Sequence, residues 1–231
     1  MKGPFWLTDE LVFPHPKFAD EHGILAIGGD LSPQRLLLSY SNGIFPWYNE
    51  DEPIIWWSPD PRFILRCENL KVAKSMRPIF NKKKFRITYD QAFEEVIRAC
   101  SHPRPNLPED GTWLTEEMIA SYIYLHKLGL AHSIEAWKEN ELVGGLYGVS
   151  LGRAFFGESM FAKESNASKA AFITMVQKLQ EYDFTWIDCQ IHTNHLESLG
   201  GENVSRTDFL KMLDLALEQD TLRGNWGVLL Q

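Results

Sequence analysis

The stretch over residues 131–190 constrains the fold of this chain more than any other. Three segments, 131–138, 141–149 and 153–161, read as strands, with turns supplied by Glu139-Asn140 and Leu151-Gly152. Connections that short join antiparallel neighbours. A helical stretch, 167–182, then leads into one more strand, 184–190. A crossover of that length lets the last strand run parallel to the one before the helix. The expected class is α+β. Further short strands are expected at 63–66 and 85–89, and Asp90 is expected to cap a helix through about Cys100. Thr115 should cap a helix running to Lys127, with Gly129 just past its end, and a last helix should start after Ser205 and end near Glu218.

The first sixty residues differ in kind, being dense in Pro, Gly and Trp. One helix reads clearly, with Ser32 as N-cap, Pro33 at its first position and Asn42-Gly43 as the stop. The expected organisation is a small N-terminal α/β cap domain, 1–62, on a larger domain, 63–231. No run approaches 18 apolar residues, so no membrane span is expected. The N-terminus lacks the build of a signal peptide, and the three cysteines are odd in number and far apart, which fits a reducing cytoplasm.

Charge is distributed unevenly. The net charge is −8, yet residues 71–86 carry seven basic side chains and no acidic one, leaving 16 basic against 31 acidic residues elsewhere. Such an island reads either as a phosphate-binding patch or as a solvated basic loop.

Two of the strands hold the candidate chemistry. In 184–190, period two puts Trp186, Asp188 and Gln190 on one face; in 153–161 it groups Phe156, Glu158 and Met160. A carboxylate in so apolar a strand is costly to bury without a partner. Glu158 and Asp188 therefore read either as a structural hydrogen-bonded pair or as functional groups whose surroundings perturb their titration. Other chemistries find little support. There is no Gly-x-Ser-x-Gly elbow, and the seven histidines show no metal-ligand spacing, so no metal or cofactor is expected.

The order of meander, helix and parallel strand is that of the acetyltransferase-like (GNAT) fold, a likeness that carries no function by itself. An acetyltransferase would place a Gly-rich pyrophosphate loop after the Glu158 strand. Here that place reads Ala162-Lys163-Glu164-Ser165-Asn166-Ala167-Ser168-Lys169, without glycine, so coenzyme A is disfavoured as the acyl carrier.

Several segments together resemble the leucyl/phenylalanyl-tRNA–protein transferase family. They include Gly28-Gly29-Asp30-Leu31-Ser32, Gly43-Ile44-Phe45-Pro46-Trp47-Tyr48 and Trp56-Trp57-Ser58-Pro59-Asp60-Pro61-Arg62. They continue with Gly111-Thr112-Trp113, Gly157-Glu158-Ser159-Met160-Phe161 and Ile187-Asp188-Cys189-Gln190, in family order. The resemblance implies a GNAT-like catalytic domain. It implies transfer of Leu, Phe or less readily Met from aminoacyl-tRNA to the α-amine of proteins that begin with Arg or Lys, within the bacterial N-degron pathway. It also implies roles for particular residues. Asp188 and Gln190 would form the catalytic pair, with Asp188 holding the acceptor amine, Gln190 orienting by hydrogen bonds and Glu158 helping to hold the aminoacyl group or the amine. The terminal adenosine would lie against Trp47 and Trp113, for which ordinary core packing is the alternative. The amino-acid side chain would enter an apolar pocket of Leu146, Phe155 and Ile187. Lys74, Arg77, Lys82, Lys83 and Lys84 of the basic island would grip tRNA phosphates. A coenzyme A-dependent acetyltransferase and a non-catalytic tRNA-binding module remain the competing readings.

Overall fold

The computed structural model describes residues 2–102 and 114–230. In chain order the elements are β1 (Phe5–Leu7), β2 (Ile24–Gly28), α1 (Pro33–Ser41), β3 (Phe45–Pro46), β4 (Ile55–Trp57), β5 (Arg62–Arg66), α2 (Arg77–Asn81) and β6 (Arg86–Tyr89). Then come α3 (Phe93–Ser101), α4 (Glu116–Lys127), β7 (Ala131–Lys138), β8 (Glu141–Leu151), β9 (Ala154–Ala162), α5 (Ala167–Gln180) and β10 (Trp186–Gln190). The chain ends with α6 (Asn194–Ser198), β11 (Glu202–Val204), α7 (Arg206–Leu217) and α8 (Trp226–Leu229). Among the described residues the strands form two sheets. The smaller is ordered β1-β2-β4-β3, the larger β11-β5-β10-β9-β8-β7-β6.

The larger sheet follows the expected logic. Strands β6 to β9 form an antiparallel meander, α5 crosses over, and β10 lies parallel to β9. This is the α+β, acetyltransferase-like order read from the turns. Gly144 explains why α5 sits so close to the sheet: a Cβ there would come within 2.6 Å of the Ala167 Cβ and 2.9 Å of the Ser168 nitrogen. Local caps form as their chemistry requires. Ser32 Oγ accepts from the Arg35 N–H, and Thr115 Oγ1 accepts from the Met118 N–H.

Asp90 differs from expectation. Helix α3 begins at Phe93 with Ala92 as its N-cap residue. Asp90, at φ +54°, instead turns its carboxylate inward to accept from the Ser133 N–H, the Trp226 N–H and the His132 ring. It fastens the C-terminal α8 to the meander, and its partners lie 42 to 136 residues away in sequence.

One apolar core joins the two sheets, with Leu36, Tyr40 and Trp56 in the same cluster as Phe93, Tyr122, Tyr147 and Phe156. A second core lies on the other face of the large sheet, under α5. The first core brings α1 and α4 over the β9–β10 junction.

Candidate active site

Strand β10 is wholly buried between antiparallel β5 and parallel β9. Its pairing with β9 covers Ile187 with Phe155 and Asp188 with Phe156, whereas β9 continues to Ala162. The two strands therefore part after Phe156. Where they part, Gly157, Glu158, Ser159 and Met160 are half-buried, whereas Ala154, Phe155 and Phe156 before them are buried. A Cβ built on Gly157 would meet only the Asp188 carbonyl oxygen, at 3.4 Å. A gap at this point offers a ligand room, a backbone edge and nearby polar side chains.

Two bulges lie beside the gap, and the one in β9 alters the expected alternation. In β10, Asp188 lies opposite Ile64 while Gln190 lies opposite Phe63, so Cys189 is an extra residue. Alternation survives this bulge: Ile187 and Cys189 both pack on the second core, while Asp188 and Gln190 share the face of the first, Asp188 through Arg62 between Phe45 and Phe209 and Gln190 through Glu158 beside Tyr40 and Tyr122. In β9 a register shift between Gly157 and Ser159 makes Glu158 the extra residue. Beyond it Phe161 packs on the first core and Met160 on the second, so Met160 leaves the Phe156–Glu158 face. Gln190 is held at φ +64°, a conformation that costs a non-glycine residue about 1–3 kcal/mol and persists where surroundings over-determine it.

Asp188 is fully buried, and its oxygens are occupied. Arg62 Nε donates to Oδ1 at 2.9 Å and Nη2 to Oδ2 at 2.6 Å, while the Gln190 backbone N–H donates to Oδ1 at 2.9 Å. Arg62 is itself 1% exposed and lies between the rings of Phe45 and Phe209, at 4.7 and 4.6 Å. Both Asp188 oxygens thus accept from protein donors, and the carboxylate holds the Gln190 backbone N–H.

Glu158 is the half-buried carboxylate of the two, beside the fully buried Asp188. Its Oε1 accepts from Gln190 Nε2 at 2.7 Å and from Tyr40 Oη at 2.8 Å, and its Oε2 is hydrogen-bonded to Tyr122 Oη at 3.1 Å. Burial raises its carboxyl to about 7, against the opposing pull of the Tyr40 and Tyr122 hydrogen bonds and with a further push from Asp188. The arrangement can orient an amide, hold or release one proton near neutrality, and receive an amine.

The other expected residues fall into separate groups. Leu146, Phe155 and Ile187 come together in the second core, each 2% exposed or less, with Ile187 paired to Phe155 beside the gap. Trp47 is 39% exposed, with its ring 5.5 Å from that of Trp57, whose Nε1 donates to the Trp47 carbonyl. Trp113 lies outside the described residues. Lys74, Arg77, Lys82, Lys83 and Lys84 are all exposed on and around α2. Lys84 is not free, however, because Glu164 from outside the basic window pairs with it at 2.6 Å and also holds Lys138.

Sequence reasoning missed Arg62, Tyr40 and Tyr122. A signal for Arg62 was present: an arginine opening the apolar run Phe63-Ile64-Leu65 enters a buried strand and requires an anion. Tyr40, four residues after Leu36, falls on the buried face of α1.

Comparison with known proteins gives this geometry a context. Residues 64–214 match the family model described as leucyl/phenylalanyl-tRNA protein transferase, and residues 29–60 match the model of that family's N-terminal domain. The chain belongs to the leucyl/phenylalanyl-tRNA–protein transferase family. A relative of that name from Anaeromyxobacter sp. (strain Fw109-5) is 52% identical over 96% of this chain and 94% of its own length. One from Desulfatibacillum aliphaticivorans is 53% identical over 96% and 95%. Among solved structures, L-PGS from Bacillus licheniformis aligns at a TM-score of 0.39 and 15% identity, covering 74% of this chain and 54% of that one, a likeness too slight to carry an argument.

Proposed function

We propose that this chain moves Leu, Phe and less readily Met from aminoacyl-tRNA to the α-amine of proteins beginning with Arg or Lys, in the gap between β9 and β10. The product would enter the bacterial N-degron pathway, in the cytoplasm. The observation that carries the reading is the gap itself: half-buried strand backbone beside an amide and a carboxyl that are already oriented. Residues 63–231 would form the catalytic domain and 1–62 the smaller one, which supplies Tyr40 and Trp47.

The chemistry asks little of the protein beyond placement. An aminoacyl ester is already activated, so its transfer needs no ATP or metal. An α-amine has an ordinary pKa of about 8, so a useful fraction is neutral near pH 7. Holding amine and ester in register can supply about 7–11 kcal/mol of the barrier. Gln190 is no base, since an amide nitrogen is essentially non-basic. With its NH2 group directed at Glu158, its carbonyl oxygen is left to accept from the incoming amine. Arg62 and Asp188 hold the residue in its strained conformation. The apolar group of Leu146, Phe155 and Ile187 would receive the side chain, and one methylene more or less there is worth only about 1–3 kcal/mol, so Leu, Phe and Met would be graded rather than sharply separated.

Coenzyme A fits poorly. The N-terminus of α5, where a pyrophosphate would dock, is packed on Gly144, and the Glu164 carboxylate lies just before it. Trp47 would stack the terminal adenine, and the α2 cations would meet phosphates without reading sequence. The test supplies labelled Leu-tRNA or labelled acetyl-coenzyme A to the protein with an Arg-initiated peptide. Label should reach the peptide from Leu-tRNA alone. Transfer from acetyl-coenzyme A would favour an acetyltransferase, and tRNA binding without transfer a non-catalytic module.

A further inference from the structure

Glu158, Tyr40 and Tyr122 form a closed ring of oxygen contacts. Tyr40 Oη meets Glu158 Oε1 at 2.8 Å, Tyr122 Oη meets Oε2 at 3.1 Å, and the two hydroxyls meet each other at 2.5 Å. Each of the three contacts needs a proton between its oxygens, because otherwise two lone pairs face one another. The tyrosines bring only two. If both donate to an ionised Glu158, the 2.5 Å contact has no hydrogen. If one donates to the other, a phenolic lone pair faces a carboxylate oxygen.

We infer that the ring holds a third proton on Glu158 Oε2, so that the carboxyl rests neutral, with Tyr40 and Tyr122 as the positioning residues that keep it so. The circuit then closes. Oε2–H donates to Tyr122 Oη, Tyr122 Oη–H donates to Tyr40 Oη, and Tyr40 Oη–H donates to Oε1. Oε1 also accepts from Gln190 Nε2, which places the carboxyl proton on the other oxygen.

The surroundings favour this state. Both tyrosines hold their own protons firmly, since burial raises each well above its ordinary range. The titratable and charged groups facing Glu158 are Tyr40 from α1, Tyr122 from α4, Tyr147 from β8 and Asp188 from β10, the last with its counter-ion Arg62 from β5. None is an unpaired cation that would hold a carboxylate. A neutral Glu158 also spares the site a second negative charge beside Asp188.

What the ring does for transfer rests on the function proposed above; the proton count does not. A neutral carboxyl whose Oε1 can only accept fixes the Gln190 amide with NH2 inward and C=O toward the gap. An ionised Glu158 would draw the cationic form of an amine, which cannot attack. The neutral form leaves the acceptor to be held by the Gln190 carbonyl as the free amine.

Infrared difference spectroscopy on the unliganded, full-length protein tests the inference. The wild type minus Glu158→Gln at pH 6, where an ordinary glutamate is ionised, should show the C=O stretch of a protonated carboxyl. In Tyr122→Phe and in Tyr40→Phe that band should move to higher wavenumber, because each loses one hydrogen bond to the acid. If Glu158→Gln does not fold, the wild type measured at pH 6 minus pH 9 gives the same band. Carboxylate bands alone at pH 6, or a band that neither tyrosine variant moves, would overturn the ring. The spectrum requires no turnover, so a failed transfer assay would count against the function and leave the ring standing.

Discussion

Replacing Arg62 with Met tests how the site is held, because Arg62 lies behind Asp188 and faces no part of the gap. The side chain is 1% exposed and Asp188 fully buried, with two direct hydrogen bonds between them. Methionine keeps most of the bulk between Phe45 and Phe209 but leaves Asp188 buried without a counter-ion. Breaking a buried pair from one side costs about 3–5 kcal/mol. The two ring faces on the guanidinium are worth about 0.5–2 kcal/mol each and form part of that loss. A domain of this kind has about 5–15 kcal/mol to lose, so the variant should remain folded at moderate temperature. Urea denaturation of Arg62→Met, Asp188→Asn and the double variant completes a cycle. The double variant should be more stable than either single one, since no unpaired charge stays buried. Single-turnover transfer by Arg62→Met should slow about 100-fold with little change in KM, because Gln190 loses its anchor rather than the substrate its contacts. Stability losses that simply add, or a wild-type rate in Arg62→Met, would refute the reasoning.

Other consequences follow from the same geometry. Trp47→Ala should raise KM for charged tRNA about 5- to 150-fold, the equivalent of about 1–3 kcal/mol of base stacking, and Trp47→Phe should raise it less; equal KM values would remove Trp47 from the adenosine site. Charge reversal at Lys82 and Lys83 should weaken tRNA binding and flatten its salt dependence, while reversal at Lys84 should do less per charge because Glu164 already neutralises it; an unchanged salt slope in filter binding would exclude the island. The Glu158 carboxyl, raised from its ordinary 4.5 to about 7, makes stability depend on pH. Below about pH 4.5 both folded and unfolded chains hold the proton and there is no penalty. As pH rises toward 7 the unfolded chain ionises first, and about 3 kcal/mol is lost. Glu158→Gln should therefore gain on the wild type by about that amount between pH 4.5 and pH 8 in denaturant titrations, and a constant difference would contradict the shift.

Much of the fold was legible because its determinants are local. The Glu139-Asn140 turn, the Ser32 and Thr115 caps and the 167–182 helical pattern each announce themselves within a few residues, and together they dictate a meander, a crossover and a parallel strand. What failed was what depends on distant partners. Asp90 looks like a cap in sequence, but its carboxylate answers to Ser133, His132 and Trp226. Arg62 and Asp188 are 126 residues apart, and nothing local pairs them. Period two could not anticipate the extra residues Glu158 and Cys189, although Gly157 within an apolar strand was a hint of irregularity. Asp188, Gln190 and Glu158 do come together where β9 and β10 part, but the partners that hold them lie far away in sequence. Asp188 is paired with Arg62 and the Gln190 backbone, the Gln190 amide donates to Glu158, and Glu158 is the centre of a tyrosine ring. The short elements α6, β11 and α8 carry too few residues to show a period.

The central claim, that an activated ester and a free amine meet at Gln190 in the β9–β10 gap, is tested most directly by single-turnover transfer from Leu-tRNA to an Arg-initiated peptide by wild type and Gln190→Ala. The account predicts product from the wild type without coenzyme A or added metal, and a rate about 100-fold lower in the variant despite undiminished tRNA binding. Equal rates in the two proteins would contradict it.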